Sequence, residues 1–153
     1  MAYSASDAFC AQTDVEGLIG RGTFTTGTKP TAQQCLDWMA RVAAEVEAKL
    51  AENGITYTVA SHGAAFPATP TDAKTFRLKV LAESANAKGA AAIVLEIHDV
   101  KDEYGRVPAA MEMKKDYLGL LEAIVTVAEG ATLSAVYSDT NTTGLKFLSD
   151  TGF

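Results

Sequence analysis

From Thr69 to His98 the only helix breaker beyond the opening proline is Gly89. Ala73, Phe76, Val80, Ser84, Ala87, Ala91, Val94 and His98 recur along it at steps of three and four, the helical period. Leu78, Ala82, Ala85, Gly89, Ile93 and Ile97 form a second row, and Gly89 to Leu95 is apolar all round. A helix with two apolar sides sits between neighbours on several flanks. Its small Ser, Ala and Gly residues let other backbones come close, so the second row is read as a subunit interface, covered in part by further copies of the chain. Thr69-Pro70-Thr71-Asp72 reads as the helix start, with Thr69 as N-cap, Pro70 at the first helical position and Asp72 at the third.

The rest of the chain offers partners for that rod. Thr13 and Glu16 stand at capping-box spacing before a short helix through Leu18 and Ile19 that stops at Gly20 or Gly22. Arg21 to Lys29 is a Gly/Thr-rich loop anchored by Phe24. Thr31 and Gln34 make a second capping box, opening a helix whose stripe is Cys35, Trp38, Met39, Val42, Val46 and Leu50. Asn53-Gly54 ends it. Ile55, Tyr57 and Val59 alternate with Thr56, Thr58 and Ala60, a short strand-like pattern. Pro108 opens a last helix with Met113, Tyr117, Leu120, Leu121, Ile124 and Val127 on one face, and Gly130 stops it. The expected fold is mainly α: a small helical bundle over residues 1–130 with a long central helix, a strand-like segment and an extended C-terminal tail, 131–153. Trp38, Met39, Val42, Phe76, Val80, Tyr117, Leu120 and Ile124 are expected in its core.

A chain of 153 residues with 48% hydrophobic side chains suits one domain with its own core. Its 13 Lys plus Arg stand against 19 Asp plus Glu, and no basic run appears, which disfavours a groove that wraps nucleic-acid phosphates. The N-terminus lacks a signal-peptide pattern, and no apolar run approaches the roughly 20 residues a membrane helix needs. Cys10 and Cys35 lack metal spacing, and Cys35 falls on a helix face as a buried thiol. His62 reads as a solvated loop residue and His98 as a packed residue near a helix C-terminus. No triad, nucleophile elbow, phosphate loop or dinucleotide fingerprint accompanies them. Catalytic, metal-binding and cofactor-binding residues are therefore expected to be none.

The tail carries its own pattern. Leu133, Ala135 and Tyr137 alternate, as do Leu145 and Phe147, across a polar spacer from Ser138 to Gly144. A segment so poor in charge and too short to bury itself needs another surface. Alternation suggests an extended backbone pairing with a strand edge while aromatic side chains fill pockets.

Thr13-Asp14-Val15-Glu16-Gly17-Leu18-Ile19-Gly20, Phe24, Thr28-Lys29-Pro30-Thr31, the Ala43-Ala44-Glu45-Val46-Glu47-Ala48-Lys49-Leu50 helix, Gly54 and Tyr57-Thr58-Val59 follow one another in this order. This run resembles the start of tailed-phage head–tail connector proteins, the adaptor or head-completion family. The arrangement extends over residues 13–130, with a long Ala-rich helix and a further helix following. The resemblance implies a structural subunit without enzymatic activity or cofactor, assembled as a ring of commonly about twelve copies below the portal of a filled capsid. Its expected partners are itself, the portal protein, a downstream stopper or tail protein, and genomic DNA that passes through the lumen without specific binding. No membrane is involved. Its expected location is the neck of the virion, and the host cytoplasm during assembly. The tail residues Leu133, Tyr137, Leu145, Phe147 and Phe153 become candidates for portal docking. Two other classes stay open: a non-viral helical binding or regulatory module acting as a homo-oligomer, and an enzyme whose site is split between subunits.

Overall fold

Local hydrogen bonds and one proline decide where the helices begin. The computed structural model describes residues 2–99, 101 and 103–130, and the portal-docking candidates Leu133, Tyr137, Leu145, Phe147 and Phe153 lie outside them. Among the described residues there are four α-helices and no strand: α1 (Gln12–Ile19), α2 (Ala32–Glu52), α3 (Ala73–His98) and α4 (Pro108–Ala128). Single 3-10 turns at Ala5–Asp7 and Ala60–His62 punctuate the connections.

The capping box of α2 forms as the sequence implies: the Gln34 amide donates to Thr31 Oγ1 at 3.2 Å and the Thr31 amide to Gln34 Oε1 at 3.0 Å. Pro108 takes the first position of α4. Two other starts differ. α3 begins at Ala73, later than Thr69, because Asp72 is its N-cap and accepts the Thr75 amide at 2.8 Å. The Thr13–Glu16 box does not form. Asp14 instead accepts the Ala11 amide at 2.8 Å, while Glu16 is buried, accepting the Phe24 amide at 2.7 Å and the Gln12 side-chain amide at 2.6 Å. That carboxylate anchors the Gly/Thr-rich loop, whose Phe24 is buried as expected. The stretch from Ile55 to Val59 has no ladder partner. It is an extended connection, closed by a Thr58 amide to Ala64 carbonyl bond of 2.9 Å and by the Val59 amide donating to Glu47 at 2.7 Å.

α3 is the central rod, packed by α4, α2 and α1 on different sides. Its Leu78, Ala82, Ala85 and Gly89 row is buried, but by the chain's own α2 and α4. α4 runs antiparallel along it: Lys74 Nζ donates to the Ala128 carbonyl, and Lys88 pairs with Asp116. Of the six residues read as a subunit interface, Ile93 is half-buried against the same cluster and Ile97 alone is exposed. The small residues do admit a close helix, and that helix is α4 of the same chain. The upper half of the other row, with Ala87, Ala91 and Val94, is buried together with Ala90, with Val15 of α1 and with Cys35 and Met39 of α2.

Met39, Val42, Tyr117 and Ile124 are core residues as expected, whereas Trp38 and Leu120 are half-buried. Phe76 and Val80 are not core: they are 54% and 41% exposed. α1 has only 8 residues and meets the row from Ser84 onward, so it does not cover Phe76 and Val80. Leu81, one position on from Val80, is buried in their place. Val80→Asp should therefore leave stability within about 0.5 kcal/mol of wild type, as exposed substitutions do. Leu81→Asp should cost about 3 kcal/mol or more, by burying an unpaired charge. Urea midpoints of the two variants check both values, and equal midpoints would refute the assigned face.

Candidate functional site

Two recesses and two polar anchors hold most of the chemistry on this chain. The larger recess, about 660 Å³, lies along α2 between the N-terminal segment and the Ala60–His62 turn. Tyr3, Asp7, Asp37, Trp38, Arg41, Glu47 and His62 provide its polar and aromatic lining. Glu47 faces His62, whose Nδ1 lies 2.9 and 3.0 Å from the two carboxylate oxygens, and it also accepts the Val59 amide. Its work is to pin the turn to α2. Asp7 does the same from the other rim: hydrogen bonds from Ser61 first, and then from Ser4, hold its carboxyl below the usual carboxylate range. The His62–Glu47 pair is thus accounted for by its structural role at this turn.

The second histidine is packed. The ring of His98 lies 5.9 Å from that of Trp38, and its Nε2 is buried with no hydrogen-bond partner among the described residues. Its carbonyl accepts Arg21 Nη1 at 2.9 Å, while Arg21 Nη2 meets Asp99 at 2.8 Å. A guanidinium at the negative end of α3 ties the loop after α1 to that helix. Among the described residues no three His, Cys, Asp or Glu side chains gather as a metal set.

The smaller recess, about 470 Å³, is the groove between α1 and α3, with Thr13, Asp14, Gly17 and Leu18 on one wall and Glu83, Ser84, Ala87 and Lys88 on the other. Burial in this groove pushes the Glu83 carboxyl above its ordinary range, Lys79 partly offsets that, and the Asp14 charge adds to it. The groove is thus acidic, and its α3 wall carries the same stripe as exposed Phe76 and Val80.

Asn86 is the polar anchor that periodicity alone missed. It is fully buried in the Ala-rich middle of α3. Its Oδ1 accepts the Phe9 amide at 2.6 Å and the Cys10 amide at 3.3 Å, and its Nδ2 donates to the Met39 carbonyl at 2.8 Å. One side chain thereby fastens the N-terminal segment to α2 and α3. An Asn among alanines, poorly suited to a helix interior, was the available signal. Cys10 beside it and Cys35 are free buried thiols, each pushed up to about 12, chiefly by burial. Neither has the thiolate character a nucleophile or ligand requires.

The chain matches no known family model, no curated protein and no solved structure.

Asn86→Ala would leave two amides without their acceptor, at a cost of about 2 kcal/mol or more. It should also speed alkylation of Cys10 under native conditions while Cys35 stays protected. Labelling followed by peptide mapping checks this, and unchanged Cys10 labelling would refute the anchoring role.

Proposed function

We propose that this chain is a structural subunit of a phage neck, a ring-forming adaptor between the portal of the DNA-filled head and the next neck or tail protein. The observation that carries the reading is the motif run from Thr13 to Val59, together with a helix order that agrees with what its resemblance implies: a short helix, a Thr-capped helix, a long Ala-rich helix and a further helix. The described surface also supports it. It leaves Phe76, Val80, Ile97, Met111 and Leu118 exposed, large apolar side chains that suit a part that works by docking.

In this role the tail 131–153 engages portal and the bundle supplies the ring. The chain binds no cofactor and does no chemistry. The net charge of −6 lets DNA slide past without sticking.

Mixed with its cognate portal, the chain should appear in electron-microscopy class averages as a ring stacked on the portal. Removing residues 131–153 should abolish that attachment while helix content and melting temperature hold. A chain that stays monomeric with and without portal would overturn the reading. One that self-associates but ignores portal would favour a helical binding module. Binding to free duplex DNA should be weak and salt-sensitive; titration showing sub-micromolar affinity at physiological salt would contradict the passive-lumen role.

A further inference from the structure

The chain has three asparagines, Asn53, Asn86 and Asn141, and Asn53 alone precedes a glycine. That pairing carries a chemical liability. Glycine has no side chain to crowd its backbone nitrogen, so the Gly54 nitrogen is the one best able to attack the amide carbon of the residue before it. Asn86 precedes Ala87, whose methyl hinders the same attack, and it is buried within α3. Asn141 precedes Thr142. Asn53 is half-buried and Gly54 is exposed, so water and base reach the pair.

The fold holds this pair in a geometry that cannot react. Asn53 is the C-cap of α2, and Gly54 follows it with a left-handed φ of 76°. The Gly54 amide donates to the Ala51 carbonyl and the Ile55 amide to the Leu50 carbonyl, each at 3.0 Å. These two bonds are the Schellman closure of a helix end. Its apolar contact is present too, since Ile55 packs against the cluster that contains Leu50. The Asn53 side chain is tied back, with Nδ2 donating to the Lys49 carbonyl at 2.8 Å. Closing a five-membered imide requires the Asn53 Cβ and the Gly54 nitrogen to eclipse about the Cα–C bond. At the observed ψ of 17° they stand far from eclipsed. The rotation needed swings Gly54 away from Ala51 and Ile55 away from Leu50, so the cap must open first.

We infer that Asn53 is a latent modification site, a deamidation site locked by the α2 cap and reached when the last turn of α2 opens while the bundle stays folded. Helix ends open at far lower free energy than cores, which makes this route the accessible one. In the open state base removes the Gly54 amide proton and the nitrogen attacks Asn53 Cγ. The Gly54 N–Cγ bond forms, the Cγ–Nδ2 bond breaks, and ammonia leaves. Water then opens the imide at either carbonyl, giving an aspartyl or an isoaspartyl residue at position 53. The net change is amide plus water to carboxylate plus ammonium, with nothing oxidised or reduced. Either product loosens the cap. A carboxylate cannot donate to the Lys49 carbonyl, and it sets negative charge at the negative end of α2. The isoaspartyl linkage also adds a methylene to the main chain just where Gly54 and Ile55 must reach back. The segment affected is the connection to the Ala60–His62 turn, whose Val59 and His62 line the larger recess.

The test incubates the full chain in mildly alkaline buffer, native and in denaturing urea, and follows the three asparagine-containing peptides by mass. In denaturing urea Asn53 should convert ahead of Asn86 and Asn141. In the native chain its conversion should be slower roughly tenfold or more, yet proceed. Urea too dilute to unfold the bundle should leave that native rate nearly unchanged. Ile55→Ala removes the apolar contact of the cap and should raise the native rate several-fold, while its rate in denaturing urea matches wild type. Asn53→Asp, which carries the aspartyl product, should melt lower by about 3 °C. Native conversion as fast as that of the unfolded chain overturns the lock, and an Asn53→Asp variant that melts like wild type overturns the capping role of the side chain. The local route is overturned by a native rate that climbs with dilute urea in step with global unfolding. A native rate that Ile55→Ala leaves unchanged overturns it too, as does a native chain in which neither wild type nor variant converts.

Discussion

Gly89 is where three helices meet, and the bundle depends on that approach. A Cβ there would lie 2.5 Å from Val42 Cγ1 on α2 and 3.1 Å from Tyr117 Cδ2 on α4. The missing methyl lets the Tyr117 ring lie directly on the α3 backbone. Ala82 and Ala85 continue the same shallow floor below it. Tyr117 then reaches Glu45 with its hydroxyl at 2.7 Å, so one residue fills the gap and bridges α4 to α2. Burial first, and the Glu45 carboxylate second, push that phenol above its ordinary range, so it remains a donor. Packing at this density tolerates little change in volume.

Away from that junction the fold is secured by polar groups taken out of water and fully used. An isolated helix as short as α1 is marginal in water. It is held by Val15 in the core, by Glu16 accepting from the following loop, and by Arg21 reaching the end of α3. Asn86 performs the equivalent task for the segment before α1. Each such group would be costly if left unpaired, so its partners define a single seating for a segment with little apolar area of its own. The same economy explains the larger recess: Glu47, His62 and Asp7 hold the Ala60–His62 turn against its neighbours.

What remains on the outside is a set of apolar side chains that the bundle does not use. Their distribution follows from unequal lengths. α3 has 26 residues and α1 has 8, so a stripe continuous in sequence is covered along one part and bare along the next. A chain built in this way has a closed core and an apolar stripe left partly bare.

Periodicity determined the existence of α2, α3 and α4, the central place of α3 and the closeness allowed by its small residues, while α1 was legible only from the Thr13–Glu16 spacing. Local chemistry determined the Thr31–Gln34 box, Pro108 and the stops at Gly20, Asn53-Gly54 and Gly130, because those signals act within a few residues. Tertiary structure decided who covers what. A repeat of apolar residues specifies a face but not its neighbour: the row from Leu78 to Gly89 would suit another copy, and α4 of the same chain takes it. Phe76 and Val80 share a stripe with buried Ala87 and Val94, yet only the reach of α1 separates exposed from buried. Asp72 displaced Thr69 as the cap, and Glu16 left its box for the Phe24 amide, since a side chain takes the partner that folding brings to it. Sequence thus fixes the period and polarity of each segment; burial is a property of the pair, and only the packed chain supplies the second member.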